Sequence, residues 1–196
     1  MNILNNNGVF YFKPILDTLD YSNKINNFII KRPKAKGLEL YLKHIAIYDE
    51  KNGLAKTYLV LDNDTNELVG YFSLKAGDIT VNERRHGLLN TIEFDSIPGV
   101  ELSNFAVNDE YREKHDKVNG IGYIILNDFV IPLIEEVAKF IGMKVIYIFA
   151  LPEESLINRY KEMNFQRLSK RQERAVHRRI KPAYDKDCIF MYQVIN

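Results

Sequence analysis

One cysteine stands in 196 residues, and tryptophan is missing altogether. A single thiol, Cys188, excludes an intrachain disulfide framework and a cysteine-based metal cluster, and it fits a reducing, cytoplasmic setting. Because Cys188 precedes Ile189 and Phe190 in an apolar run, a buried structural thiol is expected there rather than a nucleophile. Long uncharged apolar runs are lacking too. The most apolar long segment, 121–141, carries Asn127, Asp128, Glu135, Glu136 and Lys139, which excludes an ordinary membrane span. The chain does not open on a charged start, an apolar stretch and a small-residue cleavage site, so no signal peptide is expected. An excess of one charge is also absent. Its 27 Lys and Arg against 26 Asp and Glu leave +1, so any electrostatic attraction for a nucleic acid must be local. With no internal repeat, low-complexity linker or Pro/Gly-rich hinge, residues 1–196 read as a single domain.

What is present is an ordinary globular composition, 46% apolar and 27% charged, rich in Ile, Leu, Phe and Tyr. After a short apolar run at Val9 to Phe12, Leu38, Leu40, Leu42, Ile45, Ala46 and Tyr48 recur at helical spacing, which predicts a helix over 38–51. Thr57 to Leu61 and Glu67 to Leu74 are β-rich runs on either side of Asp62-Asn63-Asp64-Thr65-Asn66, the pattern of a hairpin. A charged, irregular stretch through Arg84, Arg85 and His86 follows, then a strand over Val100 to Val107 and a polar loop over 108–119. Gly120-Ile121-Gly122 opens a long helix that runs to Phe140, and Pro132 should kink or break it near Val130, because proline lacks the donor a helix interior needs. Lys144 to Leu151 reads as a strand, 152 onward as a short helix, and Phe165 to Leu168 and Cys188 to Ile195 as the last strands. The order predicts an α/β fold with a mixed sheet flanked by helices.

The chemistry gathers around the paired glycines. A glycine pair at a helix start lets the backbone approach a ligand, and the first-turn N–H groups there have no intrahelical partner, which suits a phosphate. Arg112, Lys114 and Lys117 just before Gly120 add positive charge. A dinucleotide-binding fingerprint would need Gly or Ala where Ile125 stands, and a tight strand-to-helix turn in place of this long charged connection.

Taken together, residues 99–168 resemble the GCN5-related N-acetyltransferase family. Glu101-Leu102-Ser103-Asn104-Phe105-Ala106-Val107 resembles its central strand, and Asn108-Asp109-Glu110-Tyr111-Arg112 the turn that follows. Lys117-Val118-Asn119-Gly120-Ile121-Gly122 is similar to the family's Arg/Gln-x-x-Gly-x-Gly/Ala pyrophosphate loop, with Lys117 in place of Arg or Gln. The connection from Tyr111 to Gly120 is about five residues longer than is common there, so Arg112 is a second candidate for the motif arginine. Tyr160-Lys161-Glu162-Met163-Asn164-Phe165 is similar to the Tyr-x-x-x-Gly-Phe signature, with Asn164 in place of glycine. Asparagine is the next best residue for a left-handed backbone. Glu153 replaces a cofactor-contacting Asn found in many members.

The resemblance implies acetyl-CoA as cosubstrate, no metal, and direct attack by an amine without an acyl-enzyme. Backbone groups around Phe105, Ala106 and Val107 would pair with the pantetheine arm, while Gly120, Ile121, Gly122 and Tyr123 would meet the pyrophosphate. Tyr160 would protonate the departing thiolate, or else only pack its ring. Glu101 would accept the amine proton, or else end a strand as an ion-paired carboxylate. His86 and His115 read as solvated loop residues. The segment 167–181 holds Arg167, Lys170, Arg171, Arg174, Arg178, Arg179 and Lys181 against Glu173 alone, and Lys31, Arg32, Lys34 and Lys36 form a second basic group. The first group is either a solvated surface loop or a contact for a phosphate-bearing acceptor such as tRNA, as in family members that resemble aminoacyl-tRNA-acetylating toxins. A non-catalytic module that binds coenzyme A or nucleic acid on the same fold is the competing expectation. An oligomer is compatible with either, and neither involves a membrane.

Overall fold

The structure, a computed structural model, describes residues 5–86, 91–179 and 187–195. Among them seven strands form one mixed sheet: β1 (Phe10–Pro14), β2 (Lys56–Asp62), β3 (Leu68–His86), β4 (Thr91–Val107), β5 (Val145–Ala150), β6 (Gln166–Arg167) and β7 (Ile189–Val194). Their order in the sheet is β1-β2-β3-β4-β5-β7-β6. The helices are α1 (Tyr21–Asn26), α2 (Lys36–His44), α3 (Ala46–Lys51), α4 (Asp109–Lys114), α5 (Ile121–Ile124), α6 (Ile131–Ala138), α7 (Glu154–Glu162) and α8 (Lys170–Arg179). The mixed sheet expected from the sequence is therefore present.

Several boundaries differ from the sequence reading. The single helix expected over 38–51 is two, with Ile45 at φ −118° between them. The charged stretch ending at His86 is strand, not irregular chain, because β3 runs 19 residues and β4 runs 17. The polar loop expected over 108–119 contains α4, whose N-cap Asn108 accepts the Glu110 N–H at 3.2 Å. Acidic Asp109 and Glu110 sit in its first turn, where the helix dipole favours them. Between α5 and α6 the chain makes a π-helical turn over Ile125–Val130, and the α-helix resumes just before Pro132. The break predicted near Val130 is thus met by widening the helix, which accommodates the missing donor of Pro132.

The chain forms two compact units, Met1–Lys75 with Leu102–Val137 and Ala76–Glu101 with Ala138–Asn196. In the first, β1 pairs antiparallel with β2, and β2 with the start of β3. Its core is aromatic: Phe12 meets Phe72 at 5.6 Å and Phe129 at 5.3 Å, and Tyr58 stacks on Phe72 at 5.0 Å. Each fully buried ring of this kind stabilises the fold by about 1.5–3 kcal/mol. Gly70 is demanded by close packing, since a Cβ there would lie 2.7 Å from the Ala106 carbonyl and 3.1 Å from Ile125 Cδ1. That contact seats the π-helical turn against the sheet beside the end of β4.

In the second unit β5 is buried along its whole length. It pairs in parallel with β4 over Gly99↔Val145, Val100↔Ile146 and Glu101↔Tyr147, and antiparallel with β7 over all six of its residues. Tyr147 stacks on Phe190 at 5.5 Å, and Phe149 meets Phe190 edge-on at 5.3 Å. Cys188 is buried as expected.

Candidate cofactor and active site

The first unit carries the whole glycine turn and the end of β4. Along Leu102–Val107, Leu102, Ser103, Asn104 and Ala106 are buried, while Phe105 and Val107 at the strand end are half-buried. Asn108 then clamps the strand end. Its N–H donates to the Val69 carbonyl at 2.8 Å, its Nδ2 to the Leu68 carbonyl at 3.0 Å, and its Oδ1 accepts the Ile29 N–H. Sequence reasoning missed this residue, although Asn followed by two acids is a recognisable helix start.

Gly120 is the N-cap of α5 and has φ +70°, a left-handed backbone that an L side chain adopts at a cost. Gly122 lies beside the β4 end, where an added Cβ would be 3.8 Å from Phe105 Cζ and 4.0 Å from Val107 Cγ2. The turn and the strand end therefore share one small area of the same unit. Lys117 and Asn119 are exposed, Val118 is half-buried, Ile121 is buried, and Tyr123 is 56% exposed. Arg112 lies one turn back on α4 and bonds Asp109 at 2.6 Å. Of the second basic group, Lys31 pairs with Glu113 and Lys36 with Glu39.

His115 is not a solvated loop residue. Its ring stacks on Tyr111 with centroids 4.3 Å apart, and its Nε2 lies 2.9 Å from Glu67. His86 falls where side chains are outside the described residues.

The second unit carries Glu101 and Tyr160. Glu101 is half-buried and stands opposite Tyr147 in the β4–β5 ladder. Burial first, then the carboxylates of Glu101 and Asp78, push the Tyr147 phenol well above the usual tyrosine value. Tyr160 is buried in the last turn of α7. Asn164 follows at φ +65°, the left-handed state expected for it. The Phe165 N–H returns to the Tyr160 carbonyl at 2.9 Å and the Asn164 N–H to Lys161 at 3.0 Å, while the Tyr160 and Phe165 rings meet edge-on at 5.5 Å. That is a complete Schellman helix end with its apolar contact. The Tyr-x-x-x-Asn-Phe signature therefore has a structural meaning of its own. Glu153 is the N-cap of α7.

Of the basic segment, Lys170–Arg179 is helix rather than loop. Ser169 and Gln172 form a capping box: Ser169 Oγ accepts the Gln172 N–H at 3.4 Å, and Gln172 Oε1 accepts the Ser169 N–H at 3.3 Å. The Ser-x-x-Gln spacing could have revealed α8 in the sequence. Lys170, Arg171, Glu173, Arg174 and His177 line a groove of about 850 Å³. Glu173 is engaged by Arg167 at 2.8 Å, and His177 packs on Phe149 at 6.0 Å. The side chains of Arg178 and Arg179, and all of Lys181, lie outside the described residues. Among the described residues no group of three or more His, Cys, Asp or Glu is placed to hold a metal, and no helix is long and apolar enough to cross a membrane.

No protein-family model matches the chain. Solved structures do resemble it. A tyrosine-to-phenylalanine variant of KacT is 16% identical with a TM-score of 0.67, covering 95% of each chain. A variant of the toxin AtaT bound to the C-terminus of the antitoxin AtaR and acetyl-CoA is 16% identical with a TM-score of 0.65, over 95% of this chain and 93% of that one. AtaT complexed with acetyl-methionyl-tRNAfMet is 14% identical with a TM-score of 0.64, over 94% of both. At these identities the likeness is one of fold, and it extends over nearly the whole chain.

Proposed function

We propose that this protein is an N-acetyltransferase that moves an acetyl group from acetyl-CoA to a primary amine by direct attack. The observation that carries this reading is the meeting of the left-handed Gly120 turn and Gly122 with Phe105 and Val107 at the end of β4. An anion-binding turn and a strand end are there within one side chain of each other. A Cβ at Gly122 would meet only Phe105 and Val107, at ordinary van der Waals distance, so the turn and the strand end lie against each other. Bound acetyl-CoA supplies the acyl thioester. The N–H groups of Gly120, Ile121, Gly122 and Tyr123, with Val118 and Asn119 shaping the turn, hold its pyrophosphate. Lys117 adds charge, and Arg112, already paired with Asp109, adds less. Backbone groups of Phe105, Ala106 and Val107 hold the pantetheine arm. Glu101 takes the proton of the attacking amine, directly or through water, and Tyr160 returns one to the departing thiolate. That AtaT, a neighbour by fold, is seen with acetyl-CoA supports the cosubstrate.

A second reading names the acceptor as aminoacyl-tRNA. It is favoured by the cation-lined groove of α8 and by a neighbour of the same fold that is seen with acetyl-methionyl-tRNA. An antitoxin-like partner, as in the AtaT complex with AtaR, belongs to the same reading. The test is release of free thiol from acetyl-CoA with a panel of aminoacyl-tRNA, peptides, polyamines and aminoglycosides. The parent protein should turn over with at least one class, Gly122→Asp should abolish coenzyme A binding, and Glu101→Gln should lose turnover most at low pH. Binding of coenzyme A without thiol release from any acceptor would favour the non-catalytic module instead.

A further inference from the structure

His115 belongs to a closed circuit of contacts in the first unit that the proposed chemistry does not use. Its Nε2 meets Glu67 Oε2 at 2.9 Å, and its ring lies nearly parallel to Tyr111. The Tyr111 hydroxyl donates to Asp62 Oδ2 at 2.5 Å, and the Asp62 N–H returns to the Glu67 carbonyl at 3.0 Å. Asp62 is itself fixed, since its Oδ1 accepts the N–H groups of Asp64 and Thr65. Lys114 holds the other oxygen of Glu67 at 2.7 Å. Lys114 and His115 together hold the Glu67 carboxyl below its ordinary range. The circuit thus ties the end of α4 to the β2–β3 hairpin through two bonded pairs, Tyr111 with Asp62 and His115 with Glu67, whose partners are 49 and 48 residues apart in sequence.

The backbone of His115 also opens the turn that leads into Gly120. Its N–H donates to Tyr111, its carbonyl accepts the Val118 N–H at 3.0 Å, and Gly120 follows two residues later. We propose that His115 is a positioning residue: held between Tyr111 and Glu67, it fixes where Lys117-Val118-Asn119-Gly120 turns and so sets coenzyme A affinity without touching the ligand. The inference rests on the reading that the Gly120 turn binds the pyrophosphate. Its physical basis is conformational entropy. Ordering backbone on binding costs free energy, and a connection such as 115–119 would incur that cost unless it is already fixed.

The test is calorimetric titration of coenzyme A into the parent, His115→Phe, Glu67→Leu, which can accept no bond, and the double variant, with thermal melting of each. Phenylalanine keeps the stack on Tyr111 and removes only the bond to Glu67. Each single change should weaken binding by about tenfold, and the double change by no more than the worse single one, because the bond between His115 and Glu67 is already lost in either. His115→Gln, which can still donate to Glu67, should recover most of the affinity. Phe28→Leu is the stability control. Phe28 is a fully buried ring against Tyr71, and its truncation should lower the melting temperature while leaving affinity unchanged. Parent-like affinity in both single variants, or effects that simply multiply in the double, would overturn the inference while Gly122→Asp still lost binding. A parent that does not bind coenzyme A would overturn the functional reading and this inference with it.

Discussion

At Tyr160 the ring and the hydroxyl answer to different constraints. The ring is the apolar contact of the Schellman end of α7, against Phe165, and any aromatic residue of that shape would serve. The hydroxyl is the part that proton donation needs, and a phenol of pKa about 10 delivers a proton only when closely positioned. Tyr160→Phe separates the two. It should melt near the parent and bind acetyl-CoA equally well, while single-turnover acetyl transfer falls by roughly 10²–10⁴. A single-turnover rate equal to the parent's would assign thiolate protonation to another group. Here the sequence was informative for a reason internal to one helix end. The spacing of Tyr160, Asn164 and Phe165 is the spacing of the helix-terminating hydrogen bonds themselves, and Asn164 adopts the left-handed backbone that the missing glycine would have taken.

Two elements were harder to read, α4 and α8. Both lie in strongly polar segments with no apolar stripe, so periodicity gave no signal, and only their caps, Asn108 and Ser169 with Gln172, announce them. The consequence for α8 is functional. A solvated loop spreads its cations, whereas a helix aligns Lys170, Arg171 and Arg174 along one groove. If that groove meets phosphates, Arg171→Gln with Arg174→Gln should reduce the salt dependence of RNA binding by a slope of about 2, with tighter binding at high salt excluded. A slope unchanged between parent and variant would return α8 to a solvated surface. The π-helical turn before Pro132 is the opposite case, since one residue type with one missing donor told in advance where the helix must change.

For the molecule as a whole, buried charge makes stability depend on acid. Glu39 is buried in α2, and burial alone would raise its pKa, but bonds from Lys36, the Ile30 N–H and Lys43 outweigh it and hold the carboxyl at about 2. A group depressed in the folded state contributes stability that is fully present above its unfolded value, about 4.3, and is lost as pH falls through the folded one. Denaturant titrations should therefore show Glu39→Gln less stable than the parent at pH 7, with the gap closing between about pH 4 and pH 2. A gap independent of pH would mean the loss is packing rather than charge. What the sequence determined by itself is whatever is written within a few residues: hairpin, helix ends, the glycine turn and the order of strands and helices. Hydrogen bonds from i to i+4 and cap to first turn link neighbours, so their signals sit side by side. Only the tertiary structure decided that Tyr111 meets Asp62, that His115 meets Glu67, and that Gly122 comes to rest beside Phe105. Those meetings depend on strand register and helix seating summed over distant segments, and no local pattern of residues encodes that sum.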